Sequence, residues 1–186
     1  RAWYAATGLP QHPAEGGTLP VAEKEDAYSW CKAPRLDGKA FETGALARQV
    51  VAGHPLARDI VQRDGGSVAA RVVARLLELA LVLPVMERWL DELAPGQAWC
   101  SEARLADETS GVGLIEAARG SLGHWLTVRR GRIHNYQIIA PTTWNFSPRD
   151  GTGQPGVLEL ALAGLPADAA GAIPAAVQHV VRSFDP

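Results

Sequence analysis

From Val68 to Leu93 apolar residues recur with a helical period: Val68, Val72, Val73, Leu76, Leu79, Leu83, Met86 and Leu90 fall on one stripe. Such a stripe predicts a core helix packed in a bundle. Ser67 follows the break Asp64-Gly65-Gly66 and is the expected N-cap, while Pro95-Gly96 closes the segment. Pro84 lies inside it and is expected to kink the helix or end its first half, because it removes a backbone donor and crowds the preceding turn. A shorter helix is predicted over residues 44–53, with Leu46, Val50 and Val51 on one face and Gly53 and Pro55 as punctuation.

Further on, His124 to Val128 and Ile133 to Ile139 read as two antiparallel strands. They are joined by a turn at Arg129 to Arg132, where Gly131 can take positive φ, and Pro141 ends the second. Residues 1 to 25 read as a loop or crossover arm, and Ala27 to Arg35 as an extended segment in which Pro34 biases Ala33 away from helix. Asp37-Gly38 marks a turn. Gly151 to Gly156 is a loop, Val157 to Ala163 a short helix or strand, and Pro174 to Phe184 a final helix with proline near its first turn. The fold class is therefore mainly α with a small antiparallel β insert, an α+β arrangement.

Composition narrows the function classes more than it changes this picture. The 186 residues suffice for one domain or for a substantial piece of a larger one. An Arg at position 1 and an end directly after a helical run favour the piece. Charges are interspersed and sum to −2, so no basic footprint points to nucleic acid. The longest apolar stretch, Leu76 to Val85, contains Glu78 and Pro84 and is too short to span a bilayer. Cys31 and Cys100 are widely separated and form no Cys-x-x-Cys or Cys/His cluster; they read as reduced thiols rather than as a disulfide or metal site. The Gly111-x-Gly113 pair lacks the dinucleotide pattern after a strand, and its glycines are read as letting the backbone approach something closely.

Candidate chemistry concentrates between Glu116 and Asp150. Arg119 stands among Ala117, Ala118, Gly120 and Ser121, small neighbours that would let a guanidinium be presented inside a tight cavity, where its fixed fork of donors suits an anionic ligand. The alternative is a structural ion pair with Glu116 or Asp150. His124 reads as a core histidine more readily than as a ligand.

Blocks along the chain carry a resemblance. AYSWCKAPRLDGKAFETGALAR at 27–48, GVGLIEAARGSLGHW at 111–125, NYQIIAPTTWNFSPRD at 135–150 and SFDP at 183–186 resemble, in order, signature blocks of the nickel-iron hydrogenase large subunit. The resemblance implies a hydrogenase large-subunit-like helical core. It also implies reversible heterolytic cleavage of H2 at a Ni-Fe centre whose iron carries CN and CO ligands. The whole chain, 1–186, is expected to be the C-terminal part of a single large-subunit domain, truncated at both ends and inactive alone. The cysteine ligands of the centre, two Cys-x-x-Cys pairs in the family, are absent from this chain.

By the same resemblance, Arg119 and Asp185 are the expected catalytic residues, Arg119 facing the open side of the centre and Asp185 holding its charge and orientation. Ala118, Leu122, Pro141 and Thr142 are expected to be cofactor-binding, with Leu122 walling the carbon monoxide and Thr142 donating to a cyanide. Ile138 is expected to offer its backbone carbonyl to a Mg site, supported by Gln137. The implied partners are H2 and a small subunit carrying iron-sulfur clusters. Location is expected to be cytoplasmic, with membrane association through other subunits and a periplasmic placement left open. Ala118 stands where many members carry proline, a variant closer to the uptake and hydrogen-sensing branch. A regulatory hydrogen sensor and a cysteine-lacking relative such as a maturation protein are the alternatives.

Overall fold

The computed structural model describes residues 1–5, 10–104, 106–165 and 173–186. In chain order the elements are α1 (Ala45–Val51), α2 (Pro55–Asp64), α3 (Val68–Asp91), β1 (Glu108–Ala117), β2 (Gly120–Arg129), β3 (Arg132–Ile139), α4 (Pro141–Asn145), α5 (Val157–Ala163) and α6 (Ile173–Ser183). Of the arm expected over residues 1 to 25, residues 6–9 lie outside the described residues, as does residue 105 of the stretch before β1. The described part of the arm pairs with the extended segment: Ala2 bridges Ser29, and Tyr4 Oη donates to the Trp30 carbonyl at 2.6 Å.

The sheet is antiparallel in the order β1-β2-β3. Arg130 (φ 53°) and Gly131 (φ 67°) form the β2–β3 turn, two consecutive left-handed residues whose twist matches that of the flanking strands. At the other end of β2, Ala117 faces Gly120 and the turn is Ala118-Arg119. The two-strand expectation is corrected here, because β1 occupies the stretch containing Gly111 and Gly113. Its side chains lack alternation, so pairing with β2 rather than local pattern makes it a strand. Nor is the close approach expected at those glycines found: a Cβ on either would meet nothing within 4 Å among the described residues.

Ser67 does cap α3, its Oγ accepting from Ala70 N at 3.2 Å. The helix then runs through Pro84 to Asp91, so Pro84 does not end its first half. A larger correction concerns the apolar stripe. Leu76 and Leu79 are each 60% exposed and Leu90 67%, whereas Ala70, Arg71 and Ala74 are buried. Small residues, not the leucines, let α3 approach its neighbours: Ala70 and Ala74 pack with Ala45 and Leu46 of α1, flanked by Val50, Ile60 and Val61. Val51, expected on the same face as Leu46, is exposed.

A second apolar cluster joins Val157 of α5 to Val180 and Phe184, with Phe146 edge-on to Phe184. Val157–Ala163 is thus a helix rather than a strand, and Glu159 accepts from Gly156 N at 2.9 Å in its first turn. The N-terminal half of α3 contacts both clusters, since Val68 packs against the second. No helix among the described residues is long and apolar enough to cross a membrane.

Candidate functional site

Arg119 sits at the tip of the β1–β2 hairpin, and its Nε lies 3.8 Å from Asp185 Oδ2 just beyond α6. Both side chains are about half exposed, so the tight cavity expected around Arg119 is not formed by this chain's described residues. Neither proposed ion-pair alternative holds. Glu116 is taken by Arg48 Nη1 at 3.1 Å and by the Ser121 hydroxyl, and Asp150 by Arg35 Nε at 3.0 Å. Between the hairpin tip and the C-terminal segment lies a cleft of about 20 Å³, lined by Thr43, Gly44, Ala118, Arg119, Phe184 and Asp185 among others. That is room for about one water.

The tip is held by backbone approach rather than by side-chain contacts of Arg119. Gly120 has φ 131°, and a Cβ there would fall 2.5 Å from Thr43 Oγ1 and 2.7 Å from Gly44 N. A Cβ on Gly44, whose φ is 127°, would press on the Arg119 carbonyl at 3.3 Å. Only glycines allow this contact without a shift. Thr43 is fixed in turn by Asn145 of α4, which accepts from Thr43 N and donates to Thr43 O, each at 2.9 Å.

Arginines supply the remaining restraint. Arg48 of α1 donates from Nε and Nη2 to both oxygens of Glu78 at 2.7 and 2.6 Å. The same guanidinium reaches the Ala117 carbonyl at 2.7 Å and the Ala118 carbonyl at 3.0 Å. Hydrogen bonding to Glu78 outweighs burial and pushes the Arg48 guanidinium up. Burial pushes the Glu78 carboxyl up, but hydrogen bonds from Arg48 and Gln49 outweigh it and hold the group below its ordinary value.

On the other side of the cleft, Arg71 pairs with both oxygens of Glu42 at 2.8 Å, donates to Ser183 Oγ at 3.2 Å and lies 3.7 Å over the Phe184 ring. Arg75 donates to the Ser183 carbonyl. These contacts place Phe184 and Asp185, the latter with φ 54°. Sequence reasoning missed Arg48, Arg71, Arg75 and Glu78. The available signal was the i, i+4, i+7 spacing of Arg71, Arg75 and Glu78 along an otherwise apolar helix.

The other expected residues are placed less directly. Ala118 lines the cleft beside Arg119. Leu122 is half-buried on β2 opposite Ile115, Pro141 is buried at the first turn of α4, and Thr142 is half-buried next to it; none of these lines the cleft. Ile138 pairs with His124 and is exposed. Gln137 is buried, its Oε1 accepting from Lys32 Nζ at 2.7 Å and from Thr18 Oγ1 at 2.9 Å. Burial lowers the Lys32 pKa. His124 is half-buried and its Nδ1 lies 2.7 Å from Tyr136 Oη.

Among the described residues no group of three or more His, Cys, Asp and Glu could hold a metal ion. Cys31 is half-buried and Cys100 exposed, and both are free thiols. The donor set of the described residues therefore does not by itself make up a coordination sphere for nickel and iron. What it presents is a cation, a carboxylate and the backbone that carries them.

The family model described as nickel-dependent hydrogenase matches residues 1–186. The chain belongs to that family. It is 36% identical to the periplasmic NiFeSe hydrogenase large subunit of Desulfomicrobium baculatum, over 94% of this chain and 37% of the relative. To the uptake hydrogenase large subunit of Rhizobium leguminosarum bv. viciae it is 37% identical, over 94% of this chain and 33% of the relative. The Ni-Fe-Se hydrogenase of D. vulgaris Hildenborough in the reduced state superposes with a TM-score of 0.87 at 37% identity, over all of this chain and 42% of that one. The chain thus spans well under half the length of these relatives. They are named as hydrogenases, which does not favour the maturation-protein or sensor alternatives. Uptake and NiFeSe types match about equally well, so identity does not single out one branch.

Proposed function

We propose that this chain is the C-terminal part of one nickel-iron hydrogenase large-subunit domain. Joined to the rest of that subunit and to a small subunit carrying iron-sulfur clusters, it takes part in the reversible conversion of H2 to two protons and two electrons. The carrying observation is Arg119 at a backbone-fixed hairpin tip facing Asp185 at 3.8 Å, within a chain that matches the family over its full length. When bound, a Ni-Fe centre with CN and CO ligands would supply the redox chemistry of H2 cleavage.

The role of this chain's residues is to shape one wall beside it. Arg119 holds a positive charge where negative charge develops, and Asp185 restrains the guanidinium without burying it. Covering the tip with the remainder of the subunit removes water and strengthens that interaction. Ala118 would line the same cleft, Leu122, Pro141 and Thr142 would border the centre outside it, and Ile138, with Gln137 beside it, would offer its backbone carbonyl to Mg. We propose a cytoplasmic location, with membrane association through other subunits or a periplasmic placement as the alternatives.

Arg119→Lys in the complete heterodimer tests the reading. Loss of one preorganised donor is expected to lower the H2-oxidation rate with a dye acceptor by about 100-fold, with nickel content unchanged by elemental analysis. Full activity in that variant removes Arg119 from the mechanism. The 186 residues alone are expected to bind no nickel, and a stoichiometric amount would overturn the account of the missing ligands.

A further inference from the structure

Among the described residues the Arg119 side chain makes no hydrogen bond, and it approaches the Asp185 carboxylate at 3.8 Å, so its direction depends on its chain neighbours. On the C-terminal side, Gly120 lies against Thr43 and Gly44 so closely that no side chain fits. On the N-terminal side, the carbonyls of Ala117 and Ala118 both point into the fork of Arg48. That fork cannot drift, because Glu78 of α3 grips Nε and Nη2 together and Glu116 takes Nη1.

We propose that Arg48 is a positioning residue for Arg119: anchored by Glu78, it clamps the two carbonyls that precede Arg119 and so fixes the direction in which the hairpin tip presents its guanidinium. This rests on the functional reading above. An arginine is needed because one planar group must serve a carboxylate on one edge and two carbonyls on another; a lysine ammonium could satisfy Glu78 but has no fixed fork to span the rest. Glu78 is a remote member of the same device: its carboxylate accepts from Arg48 and Gln49, not from Arg119. The role differs from that of Arg71 and Arg75, which hold the opposite wall through Ser183 and Phe184.

Arg48→Lys, Arg119→Lys and the double variant, made in the complete heterodimer, test it. Arg48→Lys is expected to keep full nickel content and to lower the H2-oxidation kcat by about 10-fold or more, as small misplacements of a catalytic group do, with little change in KM for H2. In the Arg119→Lys background the same substitution is expected to cost less than about twofold, since residues acting through one group are not additive. Hydrogen exchange by mass spectrometry supplies a readout independent of turnover. Faster exchange is expected in the peptide spanning residues 114–122, with α1 and α3 unchanged.

An equal loss in both backgrounds, or faster exchange spread through α1 and α3, shows Arg48 to be general scaffold and overturns the inference. Unchanged exchange at the tip overturns it as well. Should Arg119→Lys alone leave turnover intact, the functional reading falls, while the exchange measurement still decides whether Arg48 holds the tip. If Arg48→Lys does not assemble, Glu78→Gln replaces it: the guanidinium stays, its charged anchor is gone, and the same local exchange change and a smaller loss of kcat are expected.

Discussion

Two faces of α3 lie side by side and behave in opposite ways. One, from Val72 through Leu76, Leu79, Leu83 and Met86 to Leu90, is apolar and exposed. Beside it, Arg71, Ala74, Arg75 and Glu78 face inward and hold both walls of the candidate site. Hydrophobicity alone ranks the faces the wrong way round for this chain. Close approach of α3 to α1 requires small side chains at the contact, which Ala70 and Ala74 provide. The long arginines then reach past the contact with their stems packed and their charged ends paired, a way for cations to be buried at tolerable cost.

The largest effect is expected at Arg71. Its side chain is 7% exposed, and Arg71→Met leaves Glu42 without a partner and Phe184 without its covering cation. A loss of about 3 kcal/mol is expected, seen as a lowered thermal midpoint of the assembled heterodimer. A neutral result would mean that the polar face does not anchor α3. The apolar face comes next. Leu79→Ala in the complete protein is expected to cost about 2 kcal/mol, because a face this apolar is expected to be covered by the rest of the subunit. A change within about 0.5 kcal/mol would show that it stays wet.

Ser67→Ala acts on both faces at once by loosening the start of α3, and about 1 kcal/mol is expected in the same thermal assay. The smallest effect concerns pH. Because the Glu78 carboxyl is held below its ordinary value of 4.5 in the folded protein, the unfolded chain binds more protons at acid pH. Its contribution to stability is therefore complete above that value and is lost as pH falls through the lower folded pKa. Glu78→Gln should lower the thermal midpoint at neutral pH and make the acid side of the stability profile less steep. An unchanged acid limb would detach Glu78 from the network.

Local features that depend on one or two residues were legible in the sequence. Ser67 capping α3, the Arg130-Gly131 turn and the end of β3 before Pro141 each follow from a side-chain acceptor, a tolerance of positive φ or a missing N–H. Arg119 and Asp185 could be singled out through signature blocks, and the fold brings them together. The strand β1 could not, since it owes its conformation to β2. Nor could the Arg48 clamp, whose partners Glu78 and Ala117 lie 30 and 69 residues away along the chain.

Where the chain turns, where α3 begins, and Arg119 and Asp185 as candidates could be read from the sequence, because those properties are written in the backbone preferences and chemistry of individual residues or of short blocks. Only the tertiary structure decided which face of α3 is buried, that Ala118-Arg119 is a hairpin tip, and that Arg48 holds it. Those depend on shape and on pairs of groups distant in sequence, where close contact between alanines and glycines outweighs the period of the leucines.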